Sequence, residues 1–223
     1  MVFSTQNIPK YCICLRSEKD RFPHLKEEFK RVGWKVEPFW GIDKDDLLLP
    51  GDLKISVGAY GCWDSHMRLY QLAKERGQKA IIVLESDVVF CDDFQKRIEY
   101  LEWNKFDCDY FALGGHFTGP DTMGSETEPY FGKYVYKLNH MAGTYAYFLT
   151  APMYEYILQN TYNYQKPLDG FFADEVLSRF NSLAFIPFLA SCVPNISSIT
   201  GKYIDYPHVH WFFQKEAIDD INI

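Results

Sequence analysis

Two carboxylates stand one residue apart directly after an apolar run in the first half of the chain. The run covers residues 80–84 and is followed by Glu85, Ser86 and Asp87. If the chain stays extended, residues 85 and 87 point to the same side. Two hard oxygen ligands suit Mg²⁺ or Mn²⁺, which fill their other positions with water and phosphate oxygens. The pattern predicts a divalent-metal site, and the alternative is an acidic turn in which Asp87 caps the local backbone.

A glycine-containing segment at residues 58–66, with the sequence GAYGCWDSH, is the second chemical feature. Asp64 or Ser65 is a suitable N-cap for a helix, and a helix N-terminus favours anions. Ser65 and His66 could then donate hydrogen bonds to a phosphate or a sugar. The alternative is an ordinary start of a helix, with a cap and a core histidine.

Two arginines, Arg16 and Arg21, follow the first apolar run of the chain. A guanidinium at the carboxyl end of a strand can bind a diphosphate through two parallel hydrogen bonds. The alternative for each is a solvated surface arginine.

The elements that must position these side chains alternate between strand and helix patterns. Strands are predicted at residues 11–15, 34–40, 80–84, 109–113, 134–138, 144–150 and 185–189. Helices are predicted after Pro23, Asp64 or Ser65, Asp92 or Asp93, Pro152 and Asp169, and a long loop at 114–132. This order predicts an α/β fold with a mostly parallel central sheet flanked by helices. Ligands of such sheets bind at the carboxyl ends of the strands.

Composition narrows the classes of function. The 223 residues carry a net charge of −7, which argues against a nucleic acid or an anionic membrane as partner. No apolar run has the length of a membrane span, and the first ten residues lack the pattern of a secretion signal. The six cysteines form no C-x-x-C pair and no Cys/His spacing typical of zinc sites, so we expect reduced thiols in a cytoplasmic protein.

Taken together, these motifs resemble glycosyltransferase family 25, which includes lipooligosaccharide and collagen galactosyltransferases. The matching patterns are L-R-S-x-x-x-R, G-x-x-G-C-x-x-S-H and I-x-L-E-x-D-V, at residues 15–21, 58–66 and 82–88, with FWGID at 39–43. Residues 143–150, 167–169 and 187–198 agree more loosely. The family usually has Asn, Glu and Asp where this chain has Cys14, Ala59 and Ser86.

The resemblance implies a single domain of the Rossmann-like GT-A fold, spanning residues 1–223. Residues 10–113 would bind the nucleotide sugar and 134–200 the acceptor, a glycan or similar molecule, followed by a tail at 201–223. It implies a UDP-sugar donor, most plausibly UDP-galactose or UDP-glucose, and inversion as the commoner outcome. A divalent cation, Mn²⁺ or Mg²⁺, would bridge the diphosphate. The oligomeric state stays open.

The same resemblance assigns candidate roles to individual residues. Asp87 and Glu85 would hold the cation, with a late histidine, His208 or His210, as an extra ligand. The candidate donor-binding residues are Arg16, Arg21, Ser65, His66, Glu85 and Ser86.

A general base must accept the proton of the acceptor hydroxyl. Its candidates are Asp169, Asp174 and Glu175, near the start of a predicted helix. The alternative is a structural role for each of these residues. Asp169 would cap the helix, and Asp174 and Glu175 would be acids of its first turn. His208 and His210 would be solvated or packed residues of the tail.

Two other functions compete with a metal-dependent transferase. A non-catalytic module that binds a sugar nucleotide or a glycan is suggested by Ala59 and Ser86. A sugar nucleotidylyltransferase needs a glycine-rich loop after the first strand, and residues 14–20 contain no glycine.

Overall fold

The apolar runs at residues 11–15 and 80–84 form neighbouring strands of an eight-stranded sheet. The computed structural model describes residues 1–117, 127–160, 164–197, 199 and 203–204. The strands are β1 Lys10–Cys14, β2 Glu37–Trp40, β3 Ala80–Glu85, β4 Val88–Phe90, β5 Tyr110–His116, β6 Thr127–Phe131, β7 Val135–Leu138, β8 Ala142–Thr150, β9 Ser182–Phe185, β10 Ala190–Cys192, β11 Asn195–Ile196 and β12 Tyr203–Ile204.

Helices connect the strands on both sides of the sheet. They are α1 Phe22–Arg31, α2 Val57–Glu75, α3 Phe94–Asn104, α4 Ala151–Gln159 and α5 Leu168–Phe171, which continues as a π-helical segment, Phe172–Val176. Two 3₁₀ turns, Arg16–Arg21 and Lys44–Asp46, follow β1 and β2. Among the described helices, none has the length and apolar character needed to cross a membrane.

The large sheet has the strand order β2-β1-β3-β8-β5-β9-β7-β6. Three of its seven pairings are parallel, β1 with β2 and β3, and β5 with β9. The other four are antiparallel, and two of these place β8 between β3 and β5. The predicted α/β class with a large central sheet between helices is confirmed, and the expected parallel pairing is found in β2-β1-β3 and in β5-β9.

Each face of β3 packs into its own apolar cluster. Ile82 and Leu84 join the cluster that includes residues of α1 and α3, whereas Ile81 and Val83 join the one that includes residues of α2 and α4. Alternate side chains of a strand point to opposite faces, so a strand covered on both sides reads as a continuous apolar run. Burial on both faces explains why the apolar run at residues 80–84 clearly predicts a strand.

Several predicted boundaries were wrong. Helix α2 begins at Val57 rather than after Asp64 or Ser65, and Ser56 is its cap, with its side chain 3.1 Å from the Ala59 nitrogen. Pro167, not Asp169, precedes α5. The strand predicted at 185–189 ends at Phe185, and 114–132 is not one loop, because β5 continues to His116 and β6 begins at Thr127.

Candidate active site

A cleft of about 750 Å³ opens at the carboxyl ends of β1, β2 and β3. This is the edge of the sheet at which the strand-end rule predicts a ligand. Its lining comes from the segments after β1 and β2, one face of α2 and the end of β3. The polar members are Ser17, Glu18, Asp20, Arg21, Asp43, Lys44, Asp45, Asp46, Cys62, Ser65, His66, Glu85, Ser86, Asp87 and Ser197.

Glycines allow α2 to pack closely against this edge. A Cβ on Gly61 would lie 3.1 Å from Leu47 Cδ1, and one on Gly41 would lie 2.7 Å from Ser65 Oγ. Ser65 is buried, donates to the Gly61 carbonyl at 2.7 Å and accepts from the Ile42 nitrogen at 3.3 Å. Its hydroxyl therefore joins α2 to the segment after β2, a structural use of a residue predicted to bind ligand.

The helix N-terminus at Val57 replaces the one predicted at Asp64 or Ser65. Val57 and Gly58 line the cleft, so the positive end of the α2 dipole faces it seven or eight residues before the predicted cap. Ser65 and His66 instead lie in the third turn of the helix.

The turn after β3 is held by a polar network from the 3₁₀ turn. Ser86 Oγ donates to Glu18 Oε2 at 2.6 Å and accepts from Arg21 Nη1 at 2.9 Å. Arg21 also pairs with Glu18 at 3.1 Å and lies 4.0 Å from Asp87 Oδ2. Residues 86–87 form a turn between β3 and β4, so Glu85 and Asp87 are not successive residues of one extended strand, although both line the cleft.

His66 links the cleft to a buried chain of hydroxyl groups. Its Nδ1 lies 2.7 Å from the hydroxyl of Tyr147, which is hydrogen-bonded to that of Tyr70. Its Nε2 lies 3.4 Å from Glu85 Oε1, which accepts from Thr144 Oγ1 at 3.0 Å. The imidazole is 1% exposed, so its orientation is fixed by these contacts.

Cys62 lies one helical turn before His66 on the same side of α2. Potential ligand atoms of Cys62, His66 and Glu85 all lie within 4.8 Å of one another. Burial, followed by the charges of Glu85, Asp169 and Asp87, raises the pKa of the Cys62 thiol well above its usual value. The sequence contains none of the paired Cys/His spacings typical of zinc motifs, but the structure brings a C-x-x-x-H pair on α2 next to Glu85, which lies on another element.

The three candidate bases lie in different environments. Asp169 accepts from the backbone nitrogens of Gly170 at 2.8 Å and Gly143 at 3.3 Å, and its charge reaches Cys62 at the cleft. Asp174 and Glu175 pair instead with Lys166, at 3.2 and 3.0 Å, and none of the three acids is among the cleft-lining residues.

Of the other predicted site residues, Arg16 is exposed and is not among the cleft-lining residues. His208 and His210 lie outside the described residues.

Comparisons with known proteins place the chain in a family. The profile of glycosyltransferase family 25 (LPS biosynthesis protein) matches residues 7–172. No curated protein matches the sequence.

Among solved structures, the chain is similar to a glycosyltransferase involved in the glycosylation of the major capsid of PBCV-1. The identity is 10%, the TM-score is 0.40, and 75% of this chain and 74% of that one are covered. It is also similar to A197 from STIV, with 12% identity, a TM-score of 0.42, and 91% and 96% of the two chains covered.

Proposed function

Because the chain belongs to glycosyltransferase family 25, we propose that it transfers a hexose, galactose or glucose, from a UDP-sugar to a hydroxyl group of a glycan or other acceptor. The donor would occupy the cleft at the ends of β1, β2 and β3. Membership of the family makes the chain a glycosyltransferase, and the cleft residues support the proposed UDP-sugar donor. The volume of about 750 Å³ is within the range of small-molecule sites.

The charge of the cleft is the observation that carries the proposal of metal dependence. Its described lining contains seven acidic side chains and only two basic ones, Arg21 and Lys44. A diphosphate entering this surface would be repelled unless a cation offset the acids. Glu85 and Asp87, whose side chains are 27% and 22% exposed, offer hard oxygens there. These residues fit Mn²⁺ or Mg²⁺.

The mechanism assigns each residue one task. Asp87 and Glu85 would hold the cation, which when bound would offset the charge that develops on the departing nucleoside diphosphate. Arg21, next to Asp87, would donate hydrogen bonds to the diphosphate. The dipole of α2 adds a positive potential at Val57.

Asp169 is our candidate for the general base. The charge of Asp169 acts on Cys62 at the cleft, and its two backbone hydrogen bonds hold the carboxylate in one orientation, whereas Asp174 and Glu175 pair with Lys166. In this role it would accept the proton of the attacking hydroxyl.

The experiment measures turnover of a panel of UDP-sugars with Mn²⁺ by wild type and by Asp87→Asn. A cation is worth several kcal/mol to the transition state, so we expect a loss of roughly 10²-fold or more in turnover with unchanged circular dichroism. Asp92→Asn, an exposed acid outside the cleft, should retain full activity. Equal activity of Asp87→Asn and wild type would refute the assignment, and donor binding without turnover by any donor would establish the non-catalytic alternative.

A further inference from the structure

We propose that Cys62, His66 and Glu85 form a binding site for a thiophilic transition-metal ion of the zinc class. A thiolate, an imidazole and a carboxylate are the ligands that Zn²⁺ and Co²⁺ take in proteins, whereas Mg²⁺ and Mn²⁺ favour oxygen alone. The site thus differs in chemistry from the oxygen site proposed at Glu85 and Asp87, although it shares Glu85. It does not depend on glycosyl transfer.

The spacing of the ligand atoms fits tetrahedral coordination. Nitrogen and oxygen ligands about 2.0–2.1 Å from Zn²⁺ lie roughly 3.3–3.4 Å apart in a tetrahedron. His66 Nε2 and Glu85 Oε1 are 3.4 Å apart. All three potential ligand atoms lie within 4.8 Å of one another, so small side-chain adjustments would bring them to the distances of a tetrahedral site.

A buried polar atom points independently to a ligand. His66 is 1% exposed, and its Nε2 has no hydrogen-bond partner of acceptable geometry among the described residues. Such an atom is costly to bury, and a metal ion satisfies it. The other ring nitrogen is held by the Tyr147 hydroxyl at 2.7 Å, and Tyr147 is in turn held by Tyr70. Metal-binding histidines typically have their second nitrogen fixed in this way.

The remaining coordination position is open. All three ligands line the cleft, so the fourth position would face it and take water or a ligand, as in metal sites with three protein ligands. Thr144 donates to Glu85 Oε1 and orients the carboxylate. Binding forms a metal–sulfur bond and releases the thiol proton of Cys62 to solvent.

The experiment titrates Co²⁺ into the full-length, metal-stripped, reduced chain and records its absorption spectrum. We expect the visible bands of tetrahedral Co²⁺, a near-ultraviolet thiolate-to-cobalt band, and loss of both on adding Zn²⁺. Cys62→Ser should lose the near-ultraviolet band. His66→Gln and Glu85→Gln should each weaken Co²⁺ binding at least about tenfold.

The control variant is Cys108→Ser, which alters a buried thiol beside β5 at the opposite end of the sheet and should keep both bands. A thiolate band that survives in Cys62→Ser, or its absence in folded wild type, would overturn the proposal.

A second measurement on the unaltered chain avoids any folding defect of the variants. Zn²⁺ should slow alkylation of Cys62 by iodoacetamide, followed by peptide mass spectrometry, while alkylation of the half-buried Cys192 continues at its metal-free rate. Equal slowing at both thiols, or at neither, contradicts the site.

Discussion

At the scale of single residues, Ser86 shows how a neutral side chain can stand between an acid and a base. The resemblance to the family implies Asp at this position, whereas here the hydroxyl donates to Glu18 and accepts from Arg21. A serine can do both, whereas a carboxylate can only accept. The hydroxyl of Ser86 therefore joins the turn after β3 to Glu18 and Arg21 of the 3₁₀ turn.

Introducing the aspartate that the resemblance implies at position 86 should destabilise the protein. In Ser86→Asp a buried carboxylate would face Glu18 Oε2, 2.6 Å from the present hydroxyl, and we expect the free energy of unfolding to fall by about 1–3 kcal/mol at pH 7. Urea denaturation measures the change. The double variant Ser86→Asp, Glu18→Gln should recover most of the lost free energy of unfolding, because the glutamine amide at position 18 can donate a hydrogen bond to the new carboxylate. No recovery would show that the loss does not come from the two facing acids.

A second residue-scale prediction concerns the proposed base. Asp169→Asn keeps the shape of the side chain but removes the proton acceptor, so kcat should fall about 10²–10⁴-fold while the donor Kd is unchanged. Steady-state kinetics and donor titration measure the two quantities. Asp174→Asn, which removes the ion pair with Lys166, should keep kcat within a factor of a few of the wild-type value. Parallel losses in kcat and donor affinity in Asp169→Asn would make Asp169 a binding residue.

At the scale of elements, one carboxylate joins α1 to β4, the strand that follows the turn at residues 86–87. Glu28 accepts from the backbone nitrogen of Phe90, in β4, at 2.9 Å and from Arg31 at 2.7 Å. Burial opposes its charged form, but the hydrogen bonds from Arg31 and Phe90 outweigh burial and hold the pKa of Glu28 below its usual 4.5.

This lowered pKa predicts a pH dependence of stability. The carboxylate stabilises the fold above the unfolded-state pKa near 4.5, and the contribution is lost as the pH falls through the lower folded-state pKa. Glu28→Gln should therefore cost about 1–2 kcal/mol at pH 7 and progressively less below pH 4.5. Urea denaturation at several pH values measures this. Glu27→Gln, on the exposed side of α1, should follow wild type, and a Glu28→Gln deficit that stays constant with pH would contradict the argument.

The sequence predicted those elements whose burial leaves an unambiguous pattern. Strands β1 and β3 are apolar runs because both of their faces are covered. The start of α2 was missed because Gly58 and Gly61 weaken a helix signal, whereas here Gly61 allows close packing against the segment after β2. The proximity of Glu85 to Cys62 and His66 could not be predicted, because it depends on how α2 lies across the ends of the strands.

At the scale of the whole molecule, ligand binding should raise the free energy of unfolding. A ligand that binds only the folded chain at 100 times its Kd adds about 2.7 kcal/mol, which for a chain of this size raises Tm by roughly 5–10 °C. Differential scanning fluorimetry should show this shift for a UDP-sugar with Mn²⁺. The shift should be much smaller for the same sugar with EDTA. An equal shift under both conditions would argue against metal-dependent donor binding.

The position of β8 has a consequence for the synthesis of the protein. This strand comes from residues 142–150 but is inserted between β3 and β5, both of which precede residue 117. The first half of the chain alone would leave two unpaired strand edges where β8 belongs. On the ribosome, β3 and β5 therefore cannot be joined in one sheet until residue 150 has emerged, so the parts of the chain before and after residue 117 share one folding event.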